Sequence, residues 1–487
     1  MDKSANSLSY ALRPSVLRYY LSRLSLVLAG LTVVPLSVAL AFGELPLALR
    51  LAAIIGILVL FWSIGRRTTS PRLLQVNEAL ATVALTFVLT PLLMVWPFMG
   101  GQMHLDDALF ESVSAITTTG LSTVARVHDL SPGLLFLRSW MQWYGGLGIA
   151  VFSIALALGH QSGARRLTGL DRPEDLASSA GTYAHQVLLA YLGLTVTAFI
   201  ALWLTIGNGF QALLHALTAV STGGFSAYDN SLADMPSVVG PYVTIGASLL
   251  GALPLVLYYQ IFSNRRRGLS GDPEWWALPL VVVVVALLLT LSLRIESGMD
   301  WSTALYHGSL LGASAQTTAG FSSTSVAMLG DTAKLLLILA MLCGGSVGST
   351  AGGIKLLRLL ILGKLVTFML RRTTMPSHAV VSMRLGGRRL EAEEVQRALV
   401  VIVLFLLTVL LSWSIMVAGG QPALDALFEV ASATGTVGLS SGIVSNELPT
   451  GLKLLLCLDM LLGRLEILAL LVLMYPPTWL GRRIENE

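Results

Sequence analysis

Long apolar runs, parted by short polar or basic segments, dominate this chain. Ten of them stand out, at 24–42, 47–64, 79–99, 134–158, 187–206, 238–262, 276–293, 333–370, 398–417 and 452–473. A helix crossing the hydrocarbon of a bilayer needs roughly 20 residues, so most of these runs fit one crossing each. The eighth is far too long for one crossing and must be broken. The first follows basic residues, as a secretory signal does, but nine more runs come after it. An uncleaved first helix is therefore expected.

Polar segments interrupt the runs in a repeating way. Four of them align: "ALFESVSAITTTGLS" (108–122), "ALLHALTAVSTGGFS" (212–226), "GSLLGASAQTTAGFS" (308–322) and "ALFEVASATGTVGLS" (426–440). Each has a glycine in one column (Gly120, Gly224, Gly320, Gly438), a threonine two residues earlier (Thr118, Thr222, Thr318, Thr436) and a serine two residues later. The glycines lie roughly a hundred residues apart, the scale of a duplicated structural unit. Every copy sits between two apolar runs, so each unit is helix, polar loop, helix. A unit with two crossings starts and ends on one side, and its successor enters in the same orientation. The four units are therefore parallel, whereas inverted repeats need an odd number of crossings.

Composition fits this reading: 54% of residues are hydrophobic and only 12% charged, against about a quarter charged in soluble domains. Cys343 and Cys457 lie in apolar runs and form neither a disulfide framework nor a zinc spacing. The excess of basic residues orients the chain. Lys3, Arg13, Arg18, Arg23, Arg66, Arg67, Arg72, Arg165, Arg166, Arg172, the "NRRRG" at 264–268, the arginines of 371–397, Arg482 and Arg483 all fall on one side of ten alternating helices. Arg50, Arg126, Arg138, Arg294, Lys334 and Lys453 fall on the other. The positive-inside rule then puts both termini in the cytoplasm and all four polar loops outside.

About ten helix-compatible residues precede each polar loop, enough at ~1.5 Å per residue to reach halfway through the hydrocarbon. Asp106, Asp107, Asp300 and Asp425 stand near the starts of three of these half-helices, where they suit helix N-termini. The opposite ends point partial negative charge at the membrane centre, which favours a cation there. After each half-helix the chain returns extended, tolerated at this depth only where it is buried in protein or lines water. Four such returns around one axis present rings of carbonyl oxygens that replace the hydration shell of a potassium ion. The positions concerned are Thr117, Thr118, Thr119 and Gly120; Ser221, Thr222, Gly223 and Gly224; Thr317, Thr318, Ala319 and Gly320; and Gly435, Thr436, Val437 and Gly438. Four capped extracellular turns are the plainer alternative, but they do not account for the shared Thr-x-Gly-x-Ser pattern.

This pattern resembles the Trk/Ktr/HKT superfamily of potassium transport proteins, from about residue 77 to the end. The two additional N-terminal spans make it most similar to the TrkH/TrkG branch. The resemblance implies an all-α polytopic membrane protein of ten transmembrane helices. Four parallel membrane–pore–membrane repeats, in pseudo-fourfold symmetry, surround one pore: 77–181, 182–274, 275–394 and 395–487, after a two-helix extension at 1–76. Glycine in all four loops resembles the potassium-selecting members. Gly435 departs from the hydroxyl-bearing Thr117, Ser221 and Thr317 in the same column, so the fourfold pattern is only approximate.

Two further features lie inside spans. "GGSVGSTAGGIK" (344–355) disfavours a continuous helix, because interior glycine costs about 1 kcal/mol relative to alanine. It is not a phosphate-binding loop: Ile354 separates its glycines from Lys355 and no hydroxyl residue follows the lysine. A small-residue packing surface is one reading. The resemblance implies another, a gate below the filter formed by Gly344, Gly345, Gly348, Ser349, Thr350, Gly352 and Gly353. "MLLGRLEIL" (460–468) puts Arg464 and Glu466 within the tenth span. Arg464 either pairs with a nearby carboxylate or, as the resemblance implies, faces the pore as a barrier to cations.

The expected function is potassium uptake across the inner membrane of a bacterium, with potassium as substrate and no cofactor on this chain. The resemblance also implies a homodimer and a cytosolic nucleotide-binding partner of the TrkA type, for which 371–397 is a candidate docking surface. That segment equally suits lipid headgroups. A sodium- or proton-coupled secondary transporter is the rival class. A membrane enzyme would need a nucleophile, metal or acid–base cluster within the spans, and none is visible. Acidic residues of the outer loops, among them Glu111 and Glu429, either concentrate cations at the mouth by field focusing or are ordinary solvated loop and helix-cap residues.

Overall fold

The computed structural model describes residues 11–68, 74–101, 103–159, 176–262, 272–376 and 382–479. Lys3, Arg72, Arg165, Arg166, Arg172, the 264–268 cluster, Arg482 and Arg483 lie outside them. The fold is helical, with one two-stranded hairpin among the described residues. Helices α1 (Pro14–Ala41) and α2 (Leu45–Gly65) form an antiparallel pair at the N-terminus. Glu44, in the turn between them, accepts hydrogen bonds from Ser131 Oγ (2.6 Å) and Gly133 N (2.7 Å), which fixes the pair to the helix that follows the first polar loop.

Four helix–loop–helix units follow. The first is α3 (Val76–Phe98), short α4 (Leu105–Ile116) and α5 (Pro132–Gly159). The second is α6 (Leu176–Ile206), α7 (Gly209–Val220), α8 (Val239–Gly251) and α9 (Leu255–Phe262). The third is α10 (Pro273–Glu296), α11 (Trp301–Gln316), α12 (Asp331–Cys343) and α13 (Leu356–Arg372). The fourth is α14 (Ala392–Ala418), α15 (Ala423–Thr434), α16 (Thr450–Arg464) and α17 (Leu468–Met474). Between the third and fourth units, β1 (Arg384–Leu385) and β2 (Arg388–Arg389) pair antiparallel across a Gly386–Gly387 turn. The backbone N–H of Leu12 donates to the Thr478 carbonyl at 2.8 Å, so the two ends of the described chain meet on one side of the molecule.

Among the described residues, six helices are long and apolar enough to cross a membrane by length and composition. They are α1, α2, α3 and the first long helix of each later unit. Of the helices that follow the polar loops, α5 runs unbroken and the other three are interrupted. Only the break in 333–370 was legible in advance; 238–262 and 452–473 are interrupted as well. In the former, Pro254 has no N–H to continue the helix. The freed backbone groups bond to the glycine-rich segment instead: Ser346 N to Ala252 O (3.1 Å), Thr350 N to Gly251 O (3.2 Å) and Leu255 N to Gly348 O (3.1 Å). In the latter, Glu466 (φ 54°) and Ile467 (φ 60°) are successive left-handed residues, which no α-helix accommodates. Breaks at membrane depth are affordable only where other protein groups satisfy the backbone, and here one break stitches to another.

Candidate functional site

The four half-helices α4, α7, α11 and α15 end one residue before the columns aligned above, with Thr117, Ser221, Thr317 and Gly435 as their C-caps. Each terminates in the same way. Thr118 N donates to Ala115 O (3.1 Å) and Thr119 N to Ser114 O (3.0 Å). Thr222 and Gly223, Thr318 and Ala319, and Thr436 and Val437 repeat this pair of bonds on their own helices. This is the Schellman termination, which places a left-handed residue just past the cap, usually glycine. Here it is threonine every time: φ is 54° at Thr118, 50° at Thr222, 54° at Thr318 and 49° at Thr436. A β-branched residue there costs about 1–2 kcal/mol. Fourfold recurrence of that strain points to use of the hydroxyl.

Two residues later each aligned glycine is also left-handed: φ is 89° at Gly120, 82° at Gly224, 74° at Gly320 and 100° at Gly438. The four limbs close on one another through these glycines. A Cβ on Gly120 would strike the Gly223 carbonyl, one on Gly224 the Ala319 carbonyl, one on Gly320 the Val437 carbonyl and one on Gly438 the Thr119 carbonyl. The sequence of contacts runs from limb one to two, three, four and back to one, a closed ring of constant direction. Glycine is required there twice over, for its backbone angle and for the absence of a side chain.

Behind this ring, the column nine residues before the glycine carries the supports in three units; the third has Leu311 there. Glu111 accepts from Ser122 Oγ (2.5 Å) and Thr123 N (3.0 Å), and pairs with Arg138 Nε at 2.9 Å. Glu429 accepts from Ser440 Oγ (2.7 Å), Ser441 N (2.8 Å) and Ser441 Oγ (2.9 Å). His215 meets Ser226 Oγ through Nε2 at 3.1 Å. Both glutamates are fully buried, so they act neither as mouth charges nor as solvated loop residues; they hold the descending limbs. Arg138 is 2% exposed, with its guanidinium over the Phe225 ring. The signal was present in the alignment as an acid or imidazole eleven residues before a hydroxyl. Two of the other outer cations are also paired with carboxylates: Lys334 with Asp425 (2.7 Å), and Lys453 with Asp107 (2.6 Å) and Asp106 (3.1 Å). Asp300 caps α11, accepting from Thr303 N.

The glycine-rich segment stands directly beneath the ring. Gly344 (φ 72°), Gly348 (φ 75°) and Gly353 (φ 75°) turn the chain where the helix stops. Gln316 Nε2 donates to Gly344 O at 2.7 Å, and Gly345 O receives Leu356 N at 2.9 Å. Ser349 Oγ bonds Ser346 O within the loop, and both residues are fully buried. Three contacts reach the limbs. Gly352 N donates to Thr318 Oγ1 (2.8 Å), Gly353 N to Gly435 O (3.1 Å), and Thr350 Oγ1 lies 3.3 Å from Thr222 Oγ1. The Thr118 and Thr436 hydroxyls are buried and have no hydrogen-bond partner among the described residues.

Arg464 enters from the end of α16, 2% exposed, and donates through Nη1 to Thr350 O at 2.8 Å. Its Nε and Nη2 have no partner among the described residues. The nearby Glu466 does not pair with it. That carboxylate binds Lys355 Nζ (3.1 Å) and Arg358 instead, tying the lower end of the loop to the break in the tenth span.

Comparison with known proteins agrees with this architecture. The family model for TrkH, described as a cation transport protein, matches twice, over residues 67–272 and 273–477. The chain is 33% identical to the Trk system potassium uptake protein TrkI of Halomonas elongata, over 94% of this chain and 96% of that protein. It is 29% identical to the Trk system potassium uptake protein TrkH of Escherichia coli, over 78% and 80% of the two chains. The crystal structure of the potassium transporter TrkH from Vibrio parahaemolyticus superposes with a TM-score of 0.85 at 26% identity, covering 96% of this chain and all of that one.

Proposed function

Because the chain belongs to the TrkH family of cation transport proteins, and is thus a transport protein rather than an enzyme, we propose that it takes up potassium through the ring of four limbs. The observation that carries this is the closure of the ring, each aligned glycine seated against the carbonyl of the next limb. Carbonyl oxygens held at fixed spacing substitute for the water of a potassium ion, and no carboxylate is needed in the ring itself. The units are read as four parallel membrane–pore–membrane repeats in pseudo-fourfold array, ten spans in all with the N-terminal pair. The route runs from the outer mouth through residues 117–120, 221–224, 317–320 and 435–438 to the 344–353 segment, which acts as the gate.

The membrane potential drives inward movement, at about 2.3 kcal/mol per charge per 100 mV. Arg464 stands beside the gate as a positive barrier, its two unpartnered nitrogens at the loop. The protein sits in the inner membrane of a bacterium with both termini cytoplasmic, works as a homodimer and answers to a TrkA-type nucleotide-binding subunit. The arginine-bearing hairpin at 384–389 belongs to the surface that subunit would meet.

Flux in reconstituted vesicles with potassium, sodium, rubidium and caesium tests the reading. Gly120→Asp and Gly438→Asp should abolish potassium preference. Unchanged flux and preference in both variants would sink the assignment.

A further inference from the structure

The second limb differs from the others in having glycine in its third position. Thr119, Ala319 and Val437 fill that column elsewhere, whereas limb two has Gly223. Nothing in its own loop replaces the missing side chain. The space is taken by Gln142, which reaches across from α5 of the first unit. A Cβ on Gly223 would lie within 3.0 Å of Gln142 Cβ and closer still to its carboxamide.

Gln142 is fully buried and uses both ends of that carboxamide. Its Oε1 accepts from Phe225 N at 3.2 Å, and its Nε2 donates to Gly223 O at 2.5 Å. The Phe225 N–H is a donor only, so it fixes which end of the amide is oxygen. The two bonds span Gly224, the ring glycine of that limb. They also engage the very carbonyl against which Gly120 of limb one is seated.

Among the described residues no side chain bonds the matching carbonyls of Thr119, Ala319 and Val437, and the second and fourth units hold no counterpart of Gln142. Gly145, Gly251 and Gly463 occupy one register, each packed on the last residue of a half-helix (Ile116, Val220, Thr434). Three residues before them stand Gln142, Ser248 and Met460. Ser248 donates to Thr244 O in its own helix, and the Met460 side chain has no donor.

We propose that Gln142 is a positioning residue for ion selection: it holds the Gly223–Phe225 backbone at the ring and makes limb two's carbonyl unlike the other three. This rests on the ring being the selective element. Cation discrimination by carbonyls depends on their number and field strength, and a hydrogen bond to one of four changes both its orientation and its availability.

The test uses the full-length protein in vesicles, with potassium and sodium flux measured for wild type, Gln142→Met, Gln142→Glu and Gly438→Asp. Methionine keeps length and removes both bonds. Glutamate keeps the acceptor for Phe225 N; assayed at alkaline pH, where it is ionised, it sets an oxygen against Gly223 O and isolates the second bond. Each Gln142 variant should lower the potassium-to-sodium flux ratio at least about tenfold, roughly 1.4 kcal/mol of discrimination. Elution in size-exclusion chromatography checks that each variant is folded. Should methionine prevent folding, glutamate carries the test alone. A wild-type ratio in folded Gln142 variants, with the ratio lost in Gly438→Asp, overturns this role and leaves the ring reading intact. A wild-type ratio in Gly438→Asp as well overturns both.

Discussion

Gly352→Ala isolates the contact between gate and ring. Gly352 has an ordinary backbone angle, so alanine brings no conformational strain of its own, unlike Gly348 or Gly353 with φ at 75°. Its methyl group would overlap Thr436 Oγ1 and the Gly435 carbonyl. Overpacking of this kind costs about 1–3 kcal/mol. Two elements compete to absorb it. The limb is held by its Schellman bonds, Thr436 N to Ala433 O and Val437 N to Ser432 O, and by ring closure against Gly320. The loop is held against the limbs by Gly352 N to Thr318 Oγ1 and Gly353 N to Gly435 O, worth about 0.5–1.5 kcal/mol each. The strain therefore matches these two local bonds, and the 352–353 end of the loop yields while its bonds to Gly251, Ala252 and Leu255 hold the rest. An equilibrium shifted by about 1–3 kcal/mol changes some 5- to 150-fold. Basal potassium flux in vesicles, without any partner subunit, should rise within that range. The potassium-to-sodium ratio should stay at the wild-type value, since the loop rather than the limb absorbs the strain. Unchanged or reduced flux in a folded variant would refute the loop's role as the obstacle, and a collapsed ratio would show that the limb had moved instead.

Other substitutions probe separate parts of the pathway. Gly320→Ala puts a side chain at φ 74° and against the Val437 carbonyl, and should lose potassium preference in the same flux assay while the protein stays folded. Arg464→Gln removes a positive charge beside the gate. Near a protein surface such a charge opposes a cation by at most about 4 kcal/mol, the value at roughly 4 Å and an effective dielectric of about 20, so flux should rise at least about tenfold, read by vesicle uptake. Glu466→Gln leaves the buried Lys355 and the half-buried Arg358 without their carboxylate. Such uncompensated charge costs about 3–5 kcal/mol, visible as a lowered unfolding temperature in detergent.

The asymmetry of the ring has a structural consequence for how the gate is held. The loop bonds to limbs two, three and four through Thr222, Thr318 and Gly435, and leaves Thr118 of limb one untouched. Its backbone also completes the broken helix of the second unit at Gly251, Ala252 and Leu255. Moving the loop thus exposes backbone groups of that unit as well as its own. Buried N–H and C=O groups without partners are costly, so an open state must supply them with water or new protein contacts.

The sequence by itself determined a membrane chain of long apolar runs, the four aligned loops and the instability of a helix through 344–355. Those features depend on composition and local backbone preference, which act over one or two turns. It also carried the Thr-x-Gly column that the structure puts into left-handed angles, because glycine frequency and spacing reflect backbone geometry directly. Tertiary structure decided the rest. Glu111, Glu429 and Arg138 read as outer charges until packing buried them behind the limbs, since a charge's neighbours are set by other units. Glu466 chose Lys355 and Arg358 over Arg464 because the break at 466–467 turns its side chain toward α13. Gln142 gave no signal at all: it lies in an apolar run of one unit and acts on the backbone of another, 81 residues away. Contacts of that range arise only when the units assemble, and local sequence has no means of recording them.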